Sequence, residues 1–361
     1  MNVALACDMM LDLGGSIRPA IYLACELVER GHDVSIMSLL MSDHVERQMH
    51  VLGIEPINLR ANLVARHSSF SYQWFETWLR EALLSLNSRR AGKSSPITVN
   101  FSQVFSLPSQ AWYLQGPPSV ALKEMVSEFS AALRIAHRLV RPLVMYADKR
   151  LIGRMSKNSR MLIANSKSCA SIYRGLGVGV QDVIYPPIDR EIFRPAENTS
   201  SSYVLTYFGK ETVFSAIKRV ADYGIKIKAF GSKSPYIPRQ LMNHPNVDLL
   251  GRVSTSELVH LYSDALFTLF PFTHEPFGYI PLESIACGTP VLTFNKQGPS
   301  EYIQEDLTGW LANNEETMVK KAVKLWGSGY PSEMRTKCVE ASSMFDKTQY
   351  VKRWMEKISF S

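Results

Sequence analysis

Residues 3–37, VALACDMMLDLGGSIRPAIYLACELVERGHDVSIM, decide the fold class. Val3–Cys7 is a short apolar run that the Leu13-Gly14-Gly15-Ser16 loop breaks. Between Ile17 and Arg30 the apolar residues Ile21, Ala24, Cys25 and Val28 recur at helical spacing. Gly31 stands where a helix C-terminal glycine belongs, and His32–Met37 opens a second strand. A strand, helix and strand joined by short loops imply a parallel sheet with a right-handed crossover.

The same alternation restarts further on. Tyr185-Pro-Pro-Ile-Asp189 through Arg194-Pro195 reads as an interdomain linker, because each proline disfavours helix in the residue before it. Beyond it, strands are expected at Tyr203–Phe208, Ile225–Phe230, Val247–Leu250, Ala265–Phe270 and Val291–Phe294. Helices are expected at Phe214–Tyr223, Ser256–Ser263 and Tyr279–Cys287. The middle, 68–160, is expected to be mostly helical, with an aromatic cluster (Phe70, Tyr72, Trp74, Phe75, Trp78) more suited to a core than to a membrane wedge. Two doubly wound α/β halves are expected, 1–188 and 189–345. A last helix, 346–361, places Val351, Trp354, Met355 and Ile358 on one face, for packing back toward the N-terminal half.

Composition narrows the class. The 361 residues are 46% apolar and 20% charged, which suits a globular protein and excludes a wholly disordered one. The longest apolar candidate, Ala265–Phe272, is too short to span a membrane and contains Pro271. The N-terminus lacks the basic flank of a signal peptide and reads as a first strand. The five cysteines are scattered and odd in number, so neither a disulfide framework nor a zinc site is indicated, and a cytoplasmic location is expected. A net charge of +7 favours an anionic partner, with phosphate ligands, a membrane surface and nucleic acid all compatible.

The chemistry is concentrated in residues 273–291, THEPFGYIPLESIACGTPV. A strand ends near Phe270, a loop carries Glu275, and a helix opens at about Gly278, whose missing Cβ lets backbone approach a ligand. Pro281 is compatible with a first helical turn. The helix N-terminus makes an anion site. Glu275 stands at its mouth and Glu283 deeper in. Such a cradle suits a diphosphate between two sets of hydroxyls, because carboxylates accept paired hydrogen bonds from vicinal hydroxyls.

Glu275 and Glu283, with seven residues between them, Pro-Phe-Gly after the first and Ala-Cys-Gly-Thr-Pro-Val after the second, resemble the signature of retaining family 4 glycosyltransferases with the GT-B fold. Gly14-Gly15, Leu27–Val34, Asn165-Ser166-Lys167, Pro187–Pro195 and Leu250-Gly-Arg-Val253 resemble further family segments in order. The resemblance implies an α/β chain of two Rossmann-like doubly wound domains facing across a cleft. It implies transfer of a hexose, with retention, from a nucleoside-diphosphate sugar of GDP-mannose or UDP-glucose type to a hydroxyl of a lipid-linked or glycan acceptor. Glu283 would bind ribose hydroxyls and Glu275 the donor sugar. The amides of Phe277, Gly278, Tyr279 and Ile280 would hold sugar and diphosphate. Val253, after Arg252, would meet the base, with Gly231 in the same donor set. Gly15 would approach the diphosphate from the first domain.

Two departures stand out. The family's Gly-Arg is here Gly209-Lys210, so Lys210 stands in for the phosphate-binding Arg as a point charge. At the position of the usual Lys this chain has Ser215 or Ala216, and Lys218 is the nearest cation, reachable only through a longer loop. Where many relatives carry a His near the sugar, this chain has Gln115, a hydrogen-bonding group but no base. No Asp-x-Asp pair occurs, so no metal or other cofactor is expected. A nucleotide-sugar epimerase on the same fold and a basic binding protein are the alternatives; nothing resembles a nucleic-acid recognition element. The basic span around Arg134, Arg138 and Arg141 reads either as a solvated face or as a site for anionic lipid or a phosphate-bearing acceptor, with peripheral membrane attachment following from the second reading.

Overall fold

A computed structural model describes residues 1–64, 70–84, 97–125, 131–197, 201–209, 211–231 and 237–359. The chain divides into two compact units. The first holds Met1–Lys123, Ser130–Pro187 and Lys347–Ser361, and the second is built on Ile188–Asp346.

In the first unit β1 (Asn2–Cys7) leads through a short 3-10 turn, Gly15–Ile17, into α1 (Arg18–Glu29) and β2 (Asp33–Ser38). Then come α2 (Asp43–Val51), β3 (Glu55–Asn58), α3 (Phe70–Leu84), β4 (Ile97–Asn100), β5 (Ser109–Leu114), α4 (Pro118–Met125), α5 (Ala131–Asn158), β6 (Ser159–Ala164), α6 (Lys167–Gly175) and β7 (Asp182–Val183). Among the described residues these strands form one parallel sheet in the order β3-β2-β1-β4-β5-β6-β7.

Period-two alternation gives both faces of β1 a core. Val3, Leu5 and Cys7 pack with Leu23 and Leu27 of α1, whereas Ala6 joins Trp78 of α3, Leu151 and Met155 of α5 and Tyr173 of α6. Helical packing in the middle is therefore real, and Trp78 is a core residue. The expectation of a mostly helical middle nevertheless missed β4 and β5. Their runs, Ile-Thr-Val-Asn and Ser-Gln-Ala-Trp-Tyr-Leu, are too short for periodicity to separate strand from helix.

The second unit repeats the plan. It runs through β8 (Val204–Tyr207), α7 (Phe214–Asp222), β9 (Ile227–Phe230), α8 (Arg239–Met242), β10 (Val247–Gly251), α9 (Thr255–Asp264), β11 (Thr268–Phe270), α10 (Tyr279–Ala286), β12 (Val291–Phe294), β13 (Gly309–Ala312), α11 (Glu315–Ser328) and α12 (Glu333–Ser342). Its parallel strands order as β10-β9-β8-β11-β12-β13 among the described residues. The chain moves outward from β8 on one side, then returns to place β11 against the other side of β8. That reversal is a topological switch point, where loops at the carboxyl ends of adjacent strands diverge and leave a crevice.

The final helix, α13 (Lys347–Ser359), belongs to the first unit. Val351, Trp354 and Ile358 are buried against that core, and the Tyr350 hydroxyl donates to the Pro19 carbonyl at 3.0 Å.

Candidate functional site

The loops after β8 and β11 flank the switch point, and hydrogen bonds fasten them together. Val213 N–H donates to the Pro271 carbonyl (2.7 Å), and Thr273 N–H donates to the Glu211 carbonyl (2.9 Å). Gly209 N–H donates to the Thr212 hydroxyl at 2.8 Å. Below them Phe270 and Phe272 stack with centroids 4.0 Å apart, and Tyr207 lies over Phe272 at 6.0 Å. Gly209 is confined by this aromatic floor, since a Cβ there would lie 2.8 Å from the Tyr207 ring.

Gly278 begins α10 in the left-handed region, with φ of +97°, and no side chain caps the helix. A Cβ at this position would lie 2.8 Å from Pro299 Cγ and 3.1 Å from the Tyr302 hydroxyl. Tyr302 donates to the Gly278 carbonyl at 2.5 Å, locking the turn from behind. The sequence offers ligand approach as the reason for Gly278; the structure adds a second reason, close packing by the protein itself. Gln297, itself at φ +71°, donates from Nε2 to the carbonyls of Phe272 and Thr273 and so holds the loop from the β12 side.

The two carboxylates differ in environment. Glu283, one turn into α10, is 1% exposed and accepts a 3.0 Å hydrogen bond from the Tyr262 hydroxyl of α9. Glu275 is only partly buried and accepts from Phe277 N–H at 3.4 Å. Burial and the nearby Glu211 push its carboxyl up to about 7, against donation from the Phe277 and Gly278 amides. These two amides, expected to face a sugar diphosphate, are directed at Glu275 here. His274 beside it is pushed down to about 4 by burial and is neutral near pH 7. The Tyr207 phenol is raised by burial, then by Glu211 and Glu275, and is also felt by Arg252 and Glu283.

Gly231 and Gly251 carry the neighbouring strand ends. Gly231, at φ +120°, donates to the Gly251 carbonyl at 2.8 Å, and its Cβ would lie 2.6 Å from the Phe208 carbonyl oxygen. Arg252 is exposed and Val253 half-buried just beyond. The second unit therefore brings Gly209, Gly231, Arg252, Val253, Glu275, Phe277, Gly278, Tyr279, Ile280 and Glu283 to the carboxyl edge of its sheet and the start of α10.

Other expected residues lie elsewhere. Lys210 falls outside the described residues. Lys218 sits on α7 and pairs with Asp222 at 2.8 Å, with His244 on the same carboxylate, so it is held within its own helix rather than in the loop after β8. Ser215, at the position of the usual Lys, donates to Glu315 at 2.8 Å. Gln115 belongs to the first unit, where its Nε2 donates to the Phe101 carbonyl at 2.9 Å. Gly15, also in the first unit, has φ of +61° and open space where a Cβ would point. Among the described residues no group of three His, Cys, Asp or Glu is placed to hold a metal ion. No described helix is long and apolar enough to cross a membrane.

Sequence reading missed Glu211, Tyr207, Tyr302 and Gln297. The first three carried only ordinary strand-end or loop signals, and a non-glycine residue at positive φ leaves no sequence trace.

Comparison with known proteins falls on the same region. Residues 213–343 match the family of glycosyl transferases group 1. An uncharacterised glycosyltransferase of Methanocaldococcus jannaschii is 25% identical over 174 residues, which is 46% of this chain and 48% of that protein. The alpha-1,3/1,6-mannosyltransferase alg-2 of Neurospora crassa is 30% identical over 124 residues, 32% of this chain and 26% of the relative. The match thus spans about half or less of the length of these curated relatives. In structure, the Anabaena protein HepE, solved in complex with UDP-glucose, covers 100% of both chains with a TM-score of 0.70 at 14% identity. The fold is GT-B, two Rossmann-like units built on parallel sheets.

Proposed function

We propose that the chain is a retaining family 4 glycosyltransferase that moves a hexose from a nucleoside-diphosphate sugar to a hydroxyl of a lipid-linked or glycan acceptor. The observation that carries this reading is the pair of unlike carboxylates at the start of α10, Glu283 buried on Tyr262 and Glu275 pushed toward neutrality. The group 1 match over 213–343, which contains both, supports it. A GDP-mannose-type donor is favoured, in keeping with the mannosyltransferase relative, and a UDP-glucose type comes second, in keeping with the ligand of the structural neighbour.

Glu283 takes the ribose hydroxyls and Glu275, once ionised, the hydroxyls of the donor hexose. The diphosphate lies at the start of α10, where the helix dipole and the amides of Phe277 to Ile280 balance its charge. Donor binding turns the amides of Phe277 and Gly278 from Glu275 to the ligand. Gly209 and Lys210 reach the phosphates from the β8 side, and Gly231, Arg252 and Val253 face the base. The C1–O bond loosens, the diphosphate departs, and the acceptor hydroxyl attacks from the face it leaves. A phosphate oxygen takes the acceptor proton, so positioning and charge stabilisation supply the rate without a metal ion.

The test is to incubate the protein with GDP-mannose and UDP-glucose, with and without polyprenyl-linked or free glycan acceptors, in excess chelator. Acceptor-dependent nucleotide release, with the donor's anomeric configuration kept in the product, is expected. Conversion of donor without acceptor, inversion, or turnover only after added Mn²⁺ or Mg²⁺ would contradict the corresponding part.

A further inference from the structure

Among its described side chains, α5 buries almost nothing before Val144. None of the described side chains from Arg134 to Leu143 is buried, and among the described residues the apolar contacts of the helix with the core come from Val144, Ala147, Leu151, Ile152 and Met155. Six of the twenty exposed large apolar side chains among the described residues fall within 135–146. Ile135, Leu139, Leu143 and Tyr146, exposed by 61, 77, 52 and 58%, follow i, i+4, i+8 and i+11 spacing and form one stripe. Arg134, Arg138 and Arg141 are exposed along an adjoining stripe, with Lys149 and Arg150 beyond. The one acid of α5, Asp148, is 1% exposed and turned inward, accepting from Trp78 Nε1 at 3.4 Å and Ser119 N–H at 3.0 Å. The outward face is therefore apolar and cationic with no acid on it.

We propose that this face of α5 docks on an anionic lipid surface. The stripe from Ile135 to Tyr146 enters the boundary between headgroups and acyl chains. The flanking arginines remain at headgroup level on lipid phosphates, as in interfacial amphipathic helices. Tyr146 has the amphipathic character favoured at that depth. Charge decides among occupants. A second copy docking isologously through this face would bring cationic stripe toward cationic stripe, and a nucleic acid would satisfy the arginines but leave the leucines in water. An anionic bilayer satisfies both.

The experiment is co-sedimentation of the full chain with phosphatidylcholine vesicles, with and without phosphatidylglycerol, in the absence of any sugar donor. Binding is expected only to the anionic vesicles and should weaken with salt. Arg138→Gln with Arg141→Gln should lower partitioning roughly 30-fold, at about 1 kcal/mol per arginine. Leu139→Asp with Leu143→Asp should abolish binding, while circular dichroism and melting temperature stay at wild-type values because both side chains are exposed. Failure of the wild type to bind, or wild-type binding by both variants, overturns the proposal. So does a solution dimer that the leucine variant dissolves, or preferential binding to RNA. No sugar donor is present, so this outcome is independent of the glycosyl-transfer assay.

Discussion

The Tyr262 hydroxyl donates to Glu283 Oε2 at 3.0 Å, and the two residues are respectively 0% and 1% exposed. A carboxylate held this way has one oxygen direction fixed before any ligand arrives, which is the preorganisation that reading a pair of hydroxyls requires. Tyr262→Phe should cost about 1 kcal/mol of stability and weaken nucleoside-diphosphate binding severalfold. The larger loss is expected from Glu283→Gln, which keeps the shape but gives up charge-assisted acceptance; two such bonds correspond to ~100-fold in affinity. Calorimetric titration with UDP and GDP, beside thermal melts of both variants, checks the order.

Glu275 gives stability a pH dependence of unusual sign. Its folded pKa of about 7 lies above the ordinary 4.5, so between these values the unfolded chain ionises while the folded one stays protonated. Its contribution to stability therefore falls as pH rises through that window. Glu275→Gln should match wild type in melting temperature near pH 4, where both states are neutral, and exceed it at pH 8. Donor-sugar affinity in the wild type should strengthen as pH rises through about 7, and the variant should lose that rise.

His274 acts in the opposite sense. Held down to about 4 against an ordinary 6.5, it stays neutral in the fold while the unfolded chain takes up a proton, so stability is lost as pH falls from 6.5 toward 4. His274→Phe should flatten the acid limb of a melting-temperature profile. An unchanged acid limb would remove His274 from this role.

Gly278 and Gly15 separate two uses of glycine. Gly278→Ala places a methyl 2.8 Å from Pro299 Cγ at φ +97°, and should cost at least ~2 kcal/mol together with donor binding. Gly15→Ala meets open space and bears only the φ penalty, about 1 kcal/mol. Chemical denaturation of the two variants should show that difference.

Trp354 ties the last helix to the first unit, packing 5.5 Å from both Phe101 and Tyr113 by ring centroid. Trp354→Ala should cost ~3–5 kcal/mol. In calorimetry the loss should fall on the transition of the first unit, with nucleoside-diphosphate binding at the second left intact below it.

Legibility in the sequence followed the strength of local signals. The β1-α1-β2 opening was readable because Gly31 punctuates a clean change of period, and α10 because Gly278, Pro281 and Gly288 bracket it. The strands β4, β5 and β13 were not, since four- to six-residue runs buried in a parallel sheet have no alternation to display. Within the site the two carboxylates stood out by spacing. Glu211 did not, because its place beside Glu275 arises from hydrogen bonds between two loops about sixty residues apart in sequence. Lys218 was legible only as the nearest cation in sequence; its pairing with Asp222, one turn along α7, is visible only in the structure.

The most direct measurement is the dissociation constant of the preferred nucleoside diphosphate for the wild type and Glu283→Gln, at pH 8 and without metal. Saturable one-site binding by the wild type, weakened by one to two orders of magnitude in a variant that melts within a few degrees of it, is expected when two charge-assisted bonds are lost. Equal affinities, or no binding of any nucleoside diphosphate by the folded wild type, would contradict the assignment of the α10 N-terminus as the donor site.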